Sequence, residues 1–403
     1  MTAAGALPMK DLRGRVDGLF DEVVDLRRAI HADPELGFFE HHTTGMIRDR
    51  LEELGLRDHP AGTSTGAVAI LDGGRPGRTV LLRADIDALP VTEEVDVPFR
   101  SRNDGVMHAC GHDAHTAILL GTAHALTAYA EDLPGRYAFL FQPAEETLGG
   151  ARAMIDGGVL DGLGAERVLS HHVASLLTTG LVGHRAGTAM SAAQFFELHI
   201  HGAGGHGAMS TTSGNVVLAA SALASRLASV VEGLEYEDVP CACSAGLVHA
   251  GTASNVIPTR ARIAGSLRTF TDDQYVIASE RLATLCAEVE RDHAVRIDAQ
   301  MAPPVPAVPN DADATAVAVQ GISPVLGPTA LVALPPMPPS DDVSEFLRRI
   351  PGTHLMIGAH SGPRIPPMHH APDFAIDEES LRIGMLAMAS AAVALADRGV
   401  ASD

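Results

Sequence analysis

The stretch "YAFLFQPAEE", residues 137–146, runs a short apolar segment straight into two adjacent carboxylates. A run of this length suits a strand buried on both faces, and "AVAIL" (67–71) and "TVLLRA" (79–84) repeat the pattern upstream. Helical segments at about 114–131 and 148–157 alternate with these strands. The alternation predicts an α/β layer fold, a mixed sheet with helices on both faces. A strand that leads into Glu145 and Glu146 carries charge to the edge of a core, where burial is costly unless something pairs with it. A cation is the natural partner.

At 403 residues the chain exceeds what one core usually supports, so two domains are expected. Val16, Leu19, Phe20, Val23 and Ile30 recur at helical spacing near the start. Near Gly187 the order changes to a strand at 195–201, a helix near 214–231, strands near 244–250 and 260–268, a helix near 272–291 and a strand near 295–300. That β-α-β-β-α-β order predicts a ferredoxin-like α+β domain. After the proline-rich connector "APPVPAVPND" (302–311) the α/β character returns, with a helix near 311–321, the apolar "HLMIG" (354–358) and a helix from about 377 to 397. The expected architecture is a catalytic α/β domain made of residues 1–186 and 301–403, with a second domain, 187–300, inserted between its two segments.

The balance of 29 Lys plus Arg against 50 Asp plus Glu, −21 overall, argues against nucleic acid or an anionic membrane as the main partner. No window reads as the ~18 apolar residues of a membrane span, and the opening residues lack an apolar core after a basic stretch, so a cytoplasmic location is expected. Cys110, Cys241, Cys243 and Cys286 are too few and too irregularly spaced for a disulfide framework. A working thiol here would bind metal or act as a nucleophile.

"RADIDALP" (83–90), "HACGHDAHT" (108–116), "FQPAEE" (141–146) and "SHHV" (170–173) each follow or adjoin an expected strand, and strand ends are where open α/β sheets assemble ligand sites. "MHHAPDF" (368–374) joins them near the C-terminus. Adjacent Glu145 and Glu146 suggest divided labour, one carboxylate on a metal and the other accepting a proton from an activated water. Cys110 and His112, two apart in an extended or turn segment, could reach one metal or a pair. A cysteine nucleophile with a histidine base is the competing reading, but it leaves the carboxylates and histidines at the neighbouring strand ends unexplained. "GAGGHG" (202–207) fits the spacing of a dinucleotide fingerprint. An alternating strand precedes it and a polar loop follows, so it is not read as a nucleotide site.

Together "HADPELGFFE" (31–40), "LRADIDALPV" (82–91), "MHACGHDAHTAILLG" (107–121), "FQPAEETLGGARAMIDGGVL" (141–160), "GTASNVIP" (251–258) and "HHAPDF" (369–374) resemble the metal-dependent amidohydrolases that include hippurate hydrolases, bacterial N-acyl-amino-acid hydrolases and plant auxin-conjugate hydrolases. The match keeps one order from about residue 25 to 395. The resemblance implies a two-metal site with Cys110, His112, Glu146, His172 and His370 as ligands and Glu145 as general base. His172 is chosen over His171 because it directly precedes Val173, and His370 over His369 because it stands two before Pro372. Supporting roles beside the metals follow for Asp85 and Asp87, whereas the family pattern does not need His108 or His115 as ligands. On the inserted domain the resemblance implies that His206 reaches an active site from the partner subunit of a dimer, and that Asn255 and Arg268 bind substrate or transition state. Met209, "PPSDDVSEF" (338–346) and Thr259 depart from the family pattern. None is an implied ligand, so they bear on substrate preference.

The activity implied is hydrolysis of the amide bond joining an acyl group to an amino acid, with an N-acyl amino acid or short peptide as substrate. Two divalent cations per subunit are implied, zinc or manganese in preference to nickel or cobalt. The inserted domain would serve as lid and homodimer interface. A dipeptidase or carboxypeptidase of the same machinery is the alternative. A non-catalytic metal-dependent binding protein is a third reading, against which an intact Glu145 argues.

Overall fold

The computed structural model describes residues 9–209, 214–362 and 367–398. The chain divides into two compact units. The first runs up to Gly187 and takes in Pro309–Leu334 and the chain from Asp342 onward; the second is Thr188–Val308 with Pro335–Asp341.

A mixed eight-stranded sheet organises the first unit, in the order Arg57–His59, Ala67–Asp72, Pro134–Gln142, Arg75–Asp85, Arg167–Thr178, Gly352–His360, Val182–His184 and Leu331–Ala333. Its four central strands, Pro134–Gln142 to Gly352–His360 in that order, are parallel. Val80, Leu81 and Leu82, like Phe139, Leu140 and Phe141, are fully buried, which is why these strands read as unbroken apolar runs. Asp85 stands in register with Gln142, so two central strands end level and send "IDALP" and "PAEE" out along one edge of the sheet. The three-residue strands Arg57–His59, Val182–His184 and Leu331–Ala333 are too short to leave a periodic signature in the sequence.

Helices Met9–Ala32, His112–Thr127, Ala312–Leu326 and Glu379–Ala396 contribute to one hydrophobic core with this sheet. Contrary to the sequence expectation, Glu379–Ala396 is long and apolar enough to cross a membrane, but 78% of that window is buried inside the protein. Its hydropathy is that of a central helix enclosed by neighbours.

In the second unit an antiparallel sheet has the order Ala242–Ala250, Arg260–Thr269, Ala192–His201, Arg296–Met301. Phe196, Leu198 and Ile200 are buried while Phe195 is exposed, and the buried face packs against helices Val216–Arg226 and Asp272–His293. Thr271 and Gln274 form a reciprocal capping box at the start of the longer helix. This unit continues past residue 300 because Ala193 and Val305 exchange backbone hydrogen bonds of 3.0 and 2.8 Å. It takes in Pro335–Asp341 because the Ser191 N–H donates to the Met337 and Pro339 carbonyls, each at 3.0 Å.

Candidate metal centre

Of the extended or turn segment that the sequence spacing offered for Cys110 and His112, the structure has a turn, with His112 as the first residue of helix His112–Thr127. Gly111 turns the chain into the helix with φ of 89°. The turn brings the Cys110 sulfur and the His112 ring to the same cluster, with Glu146 as third member.

The His112 ring is held from one side and open on the other. Its Nδ1 donates to Asp87 Oδ1 at 3.1 Å, and Asp87 Oδ2 accepts the Glu146 N–H at 3.0 Å. One carboxylate therefore orients an imidazole and fixes the backbone of the glutamate facing it. Among the described residues, Nε2 of His112 is buried with no hydrogen-bond partner. Around it lie Asp85 Oδ2 at 3.8 Å, Glu145 Oε2 at 3.9 Å and Glu146 Oε1 at 3.8 Å. These distances are too long for hydrogen bonds, and donor atoms converging on a shared space are what a cation requires.

The histidines sort by what their ring nitrogens already do. His172 donates from Nδ1 to the Val173 carbonyl at 2.6 Å, which leaves Nε2 facing Cys110 Sγ at 3.5 Å. His115 accepts the Val173 N–H on Nε2 at 2.8 Å and donates from Nδ1 to Asp85 at 2.5 Å, so neither nitrogen is left for a metal. His171 and His108 are buried with both ring nitrogens unpartnered among the described residues. Burial holds each near a pKa of about 3.

At the C-terminal histidines the geometry is divided. His369 joins Cys110 and His172 in one cluster. Its Nε2 accepts the Ser175 N–H at 3.3 Å, which puts its proton on Nδ1, 3.7 Å from the Cys110 sulfur. His370, 55% exposed and with φ of 69°, places Nε2 3.4 Å from Glu146 Oε1. The two glutamates share His112 but differ in their other neighbours: Glu146 groups with Cys110 and His112, and Glu145 with Asp85 and His112.

Electrostatics point the same way. Burial would raise Asp85, but His112, Arg83 and His115 outweigh it and hold the carboxyl well below the ordinary range. Burial would depress His112, yet Asp85, Asp87 and Glu146 push it up to about 10. Burial, then Glu146, Glu145 and Asp85, pushes the Cys110 thiol up. A thiol among carboxylates gives up its proton readily only when positive charge sits among them, so thiolate, imidazole and carboxylate donors together fit divalent metal.

Sequence reasoning missed the support behind this cluster. Arg83, wholly buried, donates to Asp85 Oδ2 at 2.7 Å, to Gln142 Oε1 at 2.8 Å and to Asp342 Oδ1 at 3.1 Å. Asp342 also accepts from Gln142 Nε2 at 2.7 Å and from the Ala151 N–H at 2.9 Å. The signal available was an arginine set within the apolar run 80–84, which has to be paired.

His206, Asn255 and Arg268 belong to the second unit. His206 pairs with Val256 in a short two-stranded ladder, and the Asn255 carbonyl accepts the Gly207 N–H at 2.9 Å. These two residues are therefore neighbours within their unit. Arg268 donates to Ser340 Oγ at 2.7 Å and lies over the Phe195 ring at 5.7 Å from its centroid.

Residues 81–394 match the sequence pattern of peptidase family M20/M25/M40. Thermostable carboxypeptidase 1 of Saccharolobus solfataricus is 31% identical over 400 residues, 97% of this chain and 99% of the relative. N-acetylcysteine deacetylase of Bacillus subtilis is 34% identical over 373 residues, 92% of this chain and 96% of the relative. The crystal structure of Bacillus subtilis YXEP, a dinuclear metal-binding peptidase from the M20 family, superposes with a TM-score of 0.78 at 30% identity, covering 94% of this chain and 98% of that one. With its convergent thiol, imidazole and carboxylate donors, the chain belongs to the M20/M25/M40 peptidase family and is a metal-dependent amidohydrolase or peptidase.

Proposed function

We propose that the protein hydrolyses the amide bond of N-acyl amino acids. The observation that carries this reading is that two adjacent carboxylates meet one imidazole, Glu145 buried 3.9 Å from His112 Nε2 on the side of Asp85 while Glu146 also faces Cys110 and His370. Cys110, His112, Glu146, His172 and His370 would hold two divalent cations, zinc or manganese. Bound there, the cations supply Lewis acidity to the scissile carbonyl and to a water molecule. Glu145 takes the proton of the attacking water and delivers it to the leaving amine, which must depart protonated. Asp87 and Asp85 keep His112 and His115 in fixed tautomers while this happens.

The second unit, with its β-α-β-β-α-β order, would be a ferredoxin-like lid, the insertion expected at about 187–300 between catalytic segments 1–186 and 301–403 running on to Val308 and taking in Pro335–Asp341. In this reading it also forms a homodimer interface, from which His206 of the partner donates to the developing oxyanion. Asn255 and Arg268 bind the substrate, and the enzyme works in the cytoplasm. N-acetylcysteine deacetylase among the relatives supports an N-acyl substrate, and the carboxypeptidase supports a peptide as the second reading.

A hydrolysis panel of N-acyl amino acids and dipeptides with metal-reconstituted protein separates the two. Turnover of N-acyl amino acids above dipeptides is expected. Preference for dipeptides would move the assignment to the second reading, and no turnover of either would remove both.

A further inference from the structure

The turn that delivers Glu145 is strained, and part of what restrains it is a buried carboxyl that stands apart from the metal cluster. Ala144 has φ of 53°, a left-handed value that a non-glycine residue keeps only under restraint. Its N–H donates to Glu40 Oε1 at 2.8 Å, and its carbonyl accepts from the Gly150 N–H at 3.1 Å and from Thr147 Oγ1 at 3.0 Å. Gly37 closes the turn from another side, since a Cβ there would approach the Ala144 Cα and Cβ at 3.0 Å.

Glu40 is 0% exposed and sits directly before helix His41–Glu53. Burial pushes its carboxyl up, offset in part by hydrogen bonds from backbone N–H groups, that of Ala144 among them. A carboxyl taken wholly out of water to accept a backbone N–H is a costly arrangement. The peptide it orders, Pro143–Ala144, enters the left-handed residue directly before Glu145, whose own linking carbonyl is held by Gly150 and Thr147. Glu146, next along, is fixed separately through its own N–H on Asp87.

We propose that Glu40 is a positioning residue for hydrolysis, holding Ala144 in its left-handed conformation so that Glu145 is aimed independently of the metal-facing Glu146. The inference rests on the reading of Glu145 as general base. It gives the segment "HADPELGFFE" (31–40) a task in the reaction without contact with substrate or metal.

The test assays wild type, Glu40→Gln, Glu40→Ala, Glu145→Gln and the Glu40→Ala/Glu145→Gln double variant on one N-acyl amino acid, with metal content measured for each. Glutamine keeps an acceptor oxygen at the same reach. Glu40→Ala is expected to lose about 10- to 100-fold in kcat, the scale of a misplaced catalytic group, at unchanged KM and full metal content. Glu40→Gln should stay within a few-fold of wild type, and Glu40→Ala should cost nothing further in the Glu145→Gln background. Should the alanine variant fail to fold, Glu40→Asp withdraws the acceptor by one methylene and reads the same split. A wild-type kcat in a folded Glu40→Ala or Glu40→Asp, multiplicative losses in the double variant, or loss of metal would each overturn the proposal. A collapsed Glu145→Gln beside an intact Glu40→Ala overturns this inference alone, whereas an unimpaired Glu145→Gln overturns the base assignment and this inference with it.

Discussion

A Cβ placed on Gly111 would lie 2.4 Å from Val173 Cγ2. With φ at 89° the position is closed to other residues twice over, by its backbone conformation and by its neighbour. The constraint falls between Cys110 and His112, whose donor atoms have to converge. Gly111→Ala is therefore expected to lose bound metal and about 1–3 kcal/mol of stability, read by elemental analysis and urea unfolding. Full metal content in that variant would show that the turn can relax without parting the two side chains.

Glu145 and Glu146 can be separated by what they lose. Glu145→Gln should retain metal while kcat falls by at least the ~10²-fold of a missing general base. Glu146→Gln should lose metal together with activity. Equal metal loss in the two would mean that their roles are not divided.

His369 and His370 make opposite predictions. The His370 ring faces Glu146, and His370→Ala is expected to release metal as Glu146→Gln does. The His369 ring presents an N–H to the Cys110 sulfur, and His369→Ala should keep its metal at reduced affinity. Metal titrations of the two variants give the ranking; the reverse order would make His369 the ligand.

Asp113 lies 2.7 Å from Arg27 Nε and 2.8 Å from His31 Nδ1, with all three side chains buried. Burial would raise its pKa, but Arg27 and His31 outweigh that and hold the carboxyl far below its ordinary range. A depressed folded pKa contributes stability that is fully present above the unfolded value of about 3.9 and is lost as pH falls through the folded one. Asp113→Asn should thus cost about 3–5 kcal/mol at pH 7. The gap to wild type, measured by urea unfolding, should narrow only below about pH 3.9. A gap that narrowed between pH 7 and pH 5 would assign the effect to another group.

Arg268 presents a planar guanidinium suited to two parallel hydrogen bonds with a substrate carboxylate, which lysine cannot copy. Methyl-esterifying the substrate and changing Arg268 to Ala should each lower kcat/KM sharply. Applied together, they should cost much less than their sum. Strict additivity in this four-way cycle would place the carboxylate on another group.

The strands that carry the centre were readable because a parallel strand covered on both faces admits little but apolar residues, as at 80–82 and 137–141. Glu145 and Glu146 stood out for the complementary reason, as charge where that run ends. His370 was preferred to His369 from its place two before Pro372, but the left-handed φ of 69° that sets the two rings apart is encoded by no periodicity. Arg83 was visible as a charge in an apolar run, but its partners Gln142 and Asp342 come from distant segments. The start of the helix at His112 was hidden because Gly111, which caps it, offers no side chain to mark the position.

Strand Gly352–His360 lies between Arg167–Thr178 and Val182–His184, two strands that follow one another closely along the chain. During synthesis the gap between those two strands must wait while the intervening sequence leaves the ribosome, and in that time the sheet of the second unit, complete at Met301, can fold by itself. The large sheet acquires one of its central members only afterwards, through contacts of high sequence separation that form slowly. Until then His172 is exposed along an unpaired strand edge, its opposite number Met356 not yet made. With the ligands proposed above, metal loading is expected to be a late event in the life of the nascent chain, and a ribosome-stalled product ending before residue 352 should bind none at this centre, however well its first strands had formed.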